Sequence, residues 1–201
     1  MSIKNKPKFH CRKSIFGVAT FDSPLCLNDE SIRVANKIWR DMLMRCYDKG
    51  YKERNPSYSN CLVCKDWLVF SKFKEWFDKN YIEGYHLDKD ILFRGNKTYE
   101  PSKCCFVPPE INLLLIKRDK KRGDCPIGVY KNKHGRYCAC IRFDGLSRHL
   151  GLFDTPKEAF VAYKTVKEKR IKEIADKFKM LGKITTEVYK ALYNYQVLIN
   201  D

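Results

Sequence analysis

The 201-residue chain lacks the short motifs that announce many common chemistries. It has no glycine-rich phosphate loop of the P-loop or dinucleotide type, no Gly-x-Ser-x-Gly elbow and no segment with zinc-protease spacing. Nucleotide-cradling enzymes, dinucleotide-dependent oxidoreductases, elbow-type hydrolases and zinc proteases are therefore not expected. No apolar run approaches the roughly 18 residues that a membrane span requires. The basic start from Met1 to Lys13 is followed by no apolar stretch, so no secretory signal is expected either. Internal repeats and low-complexity tracts are absent. What the chain does have is positive charge: 40 Lys and Arg against 24 Asp and Glu, a formal net charge of +16. A hydrophobic share of 44% with 13% aromatics is enough to build a core, which argues against disorder as the main state. A mass of 23.8 kDa fits one large or two small domains. These features predict a soluble, intracellular protein with no membrane association and a polyanionic partner, nucleic acid first.

Ten cysteines are present, and without a secretory signal they predict free thiols rather than a disulfide framework. Only Cys61 and Cys64 have metal-ligand spacing. Their one nearby completion is the adjacent pair Cys104 and Cys105, a poor match to a tetrahedral ion, so the spacing argues against zinc at Cys61 and Cys64. Cys138 and Cys140 alternate along an expected strand and share one sheet face.

The pattern along the chain predicts an α+β fold. Residues 1–27 read as a basic N-terminal arm. A helix is expected over 28–47, capped by Asn28 or Asp29, from the spacing of Ile32, Ala35, Ile38, Trp39, Met42, Leu43 and Cys46. Turn-rich residues 51–60 lead to a second helix from about Asp66 to Lys79, whose stripe Trp67, Phe70, Phe73, Trp76 and Phe77 is core. Strands at 85–93 and 103–107, joined by a turn at 94–97, precede a helix from Pro108 to about Lys117, which together make a ββα unit. A charged linker over 118–125 separates this 28–117 domain from a second one over 126–180. There, strands at 127–132, 136–143 and 147–153 form a three-stranded antiparallel sheet packed on one helix, which starts at a Thr155–Pro156–Glu158 capping signal. A short C-terminal helix falls within 181–201. In the second strand, Tyr137, Ala139 and Ile141 are expected to face the helix through Ala159, Phe160 and Tyr163. Arg136, Cys138, Cys140 and Arg142 are expected to face outward. From Lys117 to Arg148 there are ten basic residues and three acids, a concentration suited to docking on phosphates.

Residues 127–163 resemble the ethylene-response-factor-type, or APETALA-two, DNA-binding domain. The resemblance is carried by Gly128-Val129, by Gly135-Arg136-Tyr137 before a strand ending Ile141-Arg142, and by Leu150-Gly151-Leu152-Phe153-Asp154-Thr155 leading to Glu158-Ala159 and Tyr163. It implies a sheet that enters the major groove of double-stranded DNA. By position, the groove-facing residues fall on Tyr130, Asn132, His134, Arg136, Cys140, Arg142, His149 and Leu152, with Arg148 a further nucleic-acid contact. The family often has arginines or tryptophans where Tyr130, Asn132, His134 and His149 stand, so its base preference does not transfer. Arg136 and Arg142 are the strongest candidates, since a guanidinium can bond a guanine edge or a phosphate at two points.

Residues 36–116 resemble a group of phage-encoded proteins of the HNH and homing-endonuclease type, in which such a segment precedes an ethylene-response-factor-type domain. The carrying residues are Ile38-Trp39, Met42, Arg45-Cys46-Tyr47, Trp67-Leu68, Phe70, Phe73, Leu87-Asp88-Lys89-Asp90-Ile91, Gly95-Asn96-Lys97, Cys104-Cys105-Phe106-Val107-Pro108 and Ile111-Asn112. The resemblance implies phosphodiester hydrolysis by a first-strand histidine base and a divalent metal, in the cytoplasm of a phage-infected host cell. The chain departs from the pattern. Asp88 fits the acid position and Asn112 the helix position. Lys89, however, stands where the base would be, and Tyr99 or Glu100 stands where the middle asparagine would be. Two expectations follow. In one, Asp88, Asp90 and Asn112 hold magnesium and His86, on the same strand face, is the catalytic base. In the other, the unit cuts nothing and the chain is a DNA-binding regulator, or an accessory factor acting on a host or phage protein.

Overall fold

The computed structural model describes residues 14–23, 29–115, 124–143 and 145–199. The chain is mixed α+β and divides into two compact units, Met1–Val107 and Pro108–Asp201. Among the described residues no helix is long and apolar enough to cross a membrane.

In the first unit, helix α1 (Glu30–Tyr47) begins where Asp29 Oδ1 accepts from the Ser31 and Ile32 amides at 2.9 and 3.3 Å. It buries Ala35, Trp39, Met42, Leu43 and Cys46, the face its spacing predicts. The expected turn over 51–60 is partly helical. Asp48 closes α1 and at once caps α2 (Lys49–Arg54) by accepting from the Tyr51 amide at 2.6 Å, so Gly50, just past the end of α1, already lies in the next helix. The expected helix from Asp66 is two pieces, a 3₁₀ turn at Asp66–Leu68 and α3 (Phe70–Asn80). Val69 between them is extended and bridges Thr20: the Thr20 amide donates to the Leu68 carbonyl at 2.8 Å, and the Phe70 amide donates to the Thr20 carbonyl at 3.0 Å. The N-terminal segment is thus not an arm throughout. Ala19 and Phe21 are buried in the core, and Asp22 accepts from the Ser71 amide and hydroxyl at 2.9 and 2.6 Å. Residues 1–13 and 24–28, which include most of the expected arm, lie outside the described residues. The aromatic stripe is core as expected, with Trp39 Nε1 donating to the Trp67 carbonyl at 2.6 Å.

Four short strands complete this unit: β1 (Leu62–Val63), β2 (His86–Asp88), β3 (Thr98–Tyr99) and β4 (Cys105–Val107). β2 and β4 pair antiparallel, while β1 and β3 form a parallel pair that the pattern does not predict. The strand expected over 85–93 stops at Asp88. Its Oδ1 accepts from the amides of Asp90 and Ile91, both at 2.7 Å, and this side-chain turn bends the backbone away from the ladder.

The second unit opens with α4 (Pro109–Leu114), a residue group expected to belong with the strands before it. The unit boundary therefore falls at Val107–Pro108 rather than at 117–118. A physical tie on the far side is the Lys167 ammonium, which donates to the Leu114 carbonyl at 2.7 Å. Residues 118–123 of the expected linker lie outside the described residues. Strands β5 (Val129–Lys131), β6 (Tyr137–Phe143) and β7 (Leu146–Phe153) form an antiparallel sheet in that order. Helix α5 (Pro156–Met180) starts at a complete capping box: Thr155 Oγ1 accepts from the Glu158 amide and Glu158 Oε2 from the Thr155 amide, both at 3.2 Å. Val129, Ala139 and Ile141 pack on Ala159, Phe160 and Tyr163. Gly128 has φ +76°, and a Cβ there would lie 2.0 Å from the Tyr163 ring, so only glycine admits this approach of β5 to α5. Helix α6 (Thr186–Tyr193) buries Val188 and Leu192. The tail after it returns to α5, where Lys164 donates to the Val197 carbonyl at 2.9 Å and the Val197 amide donates to Glu168 at 2.8 Å.

Candidate functional site

The sheet of the second unit presents one face to α5 and the other outward. Period two and the ladder register decide which residues share the outward face. Tyr130, Cys138 and Leu152 are paired across the three strands, Cys140 is paired with His149, and Arg142 with Ser147. Tyr130 is 50% exposed and Leu152 43%, and between them they cover Cys138, which is buried although it faces outward. A hydrogen bond with the Cys138 thiol, helped by Cys140, pushes the Tyr130 hydroxyl up to about 12. Cys140 Sγ lies 3.9 Å from His149 Nδ1.

The arginines stand at the two ends of this face. Arg136 precedes β6, pairs with Asp154 at 3.0 Å and donates to the Leu152 carbonyl at 3.4 Å. Arg142 donates from Nε to the Gly145 carbonyl at 3.1 Å. Neither contact set exhausts the five donors of a guanidinium, and both residues are exposed. Two sequence-predicted contacts have different placements. Asn132 Oδ1 accepts from the amides of His134 and Arg136 at 2.9 and 3.0 Å, so its carbonyl shapes the β5–β6 turn. His134 is exposed in that turn. Arg148 is exposed but in register with Ile141, a helix-side residue, so it falls on the opposite face from Arg142 and His149. The register shift beside Ala139 and Cys140 is responsible. It leaves Leu150 as the extra residue, and a bulge exchanges the faces on which later residues lie. Strict alternation counted from the sequence does not show such a shift.

The first unit treats its ionisable groups differently. His86 and Asp88 share a face of β2, as expected, with Leu87 between them buried. Asp90 is no longer on that strand. Asp88 is half-buried, and burial pushes its carboxyl above the ordinary value, partly offset by the two amides it accepts from. Lys89, only 5% exposed, donates to both carboxylate oxygens of Asp90, at 2.8 and 2.7 Å, and to the Asn96 carbonyl at 2.9 Å. Burial pulls its pKa down, but the bond to Asp90 and that carboxylate's charge outweigh it, and Lys89 titrates above the usual lysine. Its ammonium also lies 5.8 and 5.9 Å from the Tyr58 and Tyr99 ring centres. Asn96 holds the same loop, its amide nitrogen donating to the Lys89 and Thr98 carbonyls at 2.8 and 2.7 Å. Asn112 is on α4, in the other unit.

Magnesium at Asp88, Asp90 and Asn112 can be tested against this arrangement. A hard divalent ion takes open carboxylate oxygens in octahedral geometry. One Asp88 oxygen already accepts two amides, and both Asp90 oxygens are held by an ammonium. The Asp88 and Asp90 oxygens that such an ion would take are thus in part already engaged within this loop. Among the described residues no three His, Cys, Asp or Glu side chains converge as metal ligands.

The eight described cysteines are free thiols. Cys61 is buried with Sγ 3.9 Å from the Ser57 carbonyl, and burial pushes Cys46 and Cys104 up to about 12. Such thiols are inert at neutral pH. Comparison with models of protein families, with curated proteins and with solved structures finds no match to this chain.

Proposed function

We propose that the chain binds double-stranded DNA through the outward face of the β5–β6–β7 sheet, and that the paired strands of the first unit serve as scaffold rather than as a phosphodiesterase. The observation that carries the proposal is the layout of that face: a sheet backed by one helix, exposed on its other side, with arginines at both ends. A major groove about 12 Å wide admits a narrow sheet of this kind, and phosphates on either side suit the guanidinium groups. The net charge of +16 adds a sequence-independent attraction to the duplex. The resemblance to the ethylene-response-factor-type domain points the same way.

Fluorescence anisotropy with a labelled duplex over a salt series tests binding. Affinity is expected to fall steeply with salt, and Arg136→Ala and Arg142→Ala each to lower the slope of log K against log salt by about one. Arg148→Ala, on the other face, is expected to change it less. A flat salt response would remove the DNA reading. Incubation of supercoiled plasmid with magnesium or manganese tests the scaffold reading, for which the plasmid stays intact. Nicking that Asp88→Ala abolishes would restore the hydrolytic one.

A further inference from the structure

The outward sheet face differs from an arginine-studded reader in one respect: its middle carries no charge. Between Arg136 at one end and Arg142 at the other lie two rows, Tyr130–Cys138–Leu152 and Cys140–His149. The two arginines are six positions apart in sequence, roughly 20 Å along an extended strand. The first row is an apolar ridge, a phenol ring and a leucine side chain half-exposed over a buried thiol. The second is a thiol and an imidazole 3.9 Å apart. No side chain in either row has the fork of donors with which arginine bonds the O6 and N7 of guanine. An exposed leucine beside an exposed aromatic ring is instead suited to the one apolar group of the major groove, the 5-methyl of thymine.

We propose that the centre of this face reads thymine methyl groups, so that the preferred duplex is A·T-rich where Tyr130 and Leu152 meet it, with Arg136 and Arg142 gripping phosphates at the flanks. This rests on the sheet being the DNA interface and names the class of sequence it takes. Leu152 and Tyr130 stay half-exposed until DNA covers them, and the added burial supplies the discrimination. Arg136 and Arg142 are each already tethered, to Asp154 and to the Gly145 carbonyl, which fixes them at the ends rather than over the centre.

The test uses the full chain and four duplexes of one length: an A·T core, the same core with deoxyuridine for thymidine, a G·C core, and that core with 5-methylcytosine. Thymidine is expected to bind more tightly than deoxyuridine by about fourfold for each methyl covered, the equivalent of one buried methylene. The 5-methylcytosine duplex is expected to gain over its unmethylated parent by a similar factor. Leu152→Ser and Tyr130→Ser, at exposed positions, are expected to bring the thymidine-to-deoxyuridine ratio towards one while the salt slope stays unchanged. Equal affinity for thymidine and deoxyuridine duplexes, or tightest binding to the unmethylated G·C core, would overturn methyl reading and leave DNA binding intact. Failure to bind any of the four would overturn DNA binding itself.

Discussion

Lys89, buried in the first unit, and Lys167, half-buried in the second, have amines that shift in opposite directions. Burial acts on both by disfavouring the charged form. Lys89 of the first unit also meets both oxygens of Asp90, and its pKa ends above the ordinary value. Among the described residues Lys167 of the second unit donates to the Leu114 carbonyl and to no carboxylate, and burial lowers it to about 8. It lines a cleft of about 670 Å³ with Glu110, Arg170 and the apolar residues Leu114, Ile127 and Phe143. A related contrast separates the two candidate sites, the Asp88–Lys89–Asp90 loop and the outward sheet face. The first binds its carboxylates and ammonium to one another and to its own backbone. The second leaves arginines exposed at the ends of a sheet face. A charge consumed inside the fold stabilises structure, whereas a charge kept at the surface remains available to a partner.

The largest test of this contrast is a pair of substitutions. Lys89→Met leaves the Asp90 carboxylate and the Asn96 carbonyl without their donor and is expected to cost about 2–3 kcal/mol. Lys167→Met removes an ammonium that has no carboxylate bond and is expected to be neutral or stabilising. Urea unfolding at pH 7 measures both, and equal losses would break the comparison. Gly128→Ala probes the display side. With φ at +76° and the Tyr163 ring 2.0 Å from the new Cβ, it is expected to cost about 2 kcal/mol and to weaken duplex binding, since β5 must shift from α5.

Much of this architecture is legible in the sequence where side-chain periodicity and capping agree. Helix α1, the aromatic stripe of α3, the capping box of α5 and the alternation Tyr137, Ala139, Ile141 in β6 all follow from local pattern. Part of what escapes has a common cause: a single polar side chain redirects the backbone. Asp48 restarts a helix, Asp88 ends a strand early, and Asn132 closes a turn instead of facing outward. These bonds depend on local geometry that residue type alone leaves open. The bulge beside Cys140 escapes for another reason, an extra residue in the ladder, and it puts Arg148, expected as a nucleic-acid contact, in register with the helix-side Ile141. At the expected catalytic strand, spacing places His86, Asp88 and Asp90 on one face, which holds for His86 and Asp88 but not for Asp90, beyond the strand's end. It did not foresee that Lys89 would be buried with Asp90 as its partner.

An alkaline titration sharpens the lysine comparison further. The amine of Lys167 releases its proton near pH 8 when folded and near 10.5 when unfolded. Between these values the unfolded state binds more protons, so stability rises with pH through that window. After discounting for solvent screening of a part-exposed group, the rise is about 1–2 kcal/mol. Lys167→Met is expected to flatten it. Lys89, with a raised folded pKa, has the opposite sign: its contribution is present below the ordinary lysine value and declines as pH passes through the folded one.

The smallest effect concerns Asp88, and it separates structure from chemistry most cleanly. Burial lifts its carboxyl above the ordinary 3.8, so the ionised form is less favourable in the folded chain than in the unfolded one. Stability therefore declines slightly as pH rises from below 3.8 through the raised folded value, and is level above it. The substitution Asp88→Asn keeps a side-chain oxygen for the Asp90 and Ile91 amides and carries no charge to desolvate. The variant is expected to match the parent at about pH 3 and to equal or exceed it by about 0.5 kcal/mol at about pH 7, with duplex affinity unchanged. Thermal unfolding at the two pH values checks the first part and anisotropy the second. A loss of stability at neutral pH would show that the turn needs the negative charge, because amide donors bond a carboxylate more strongly than a neutral oxygen.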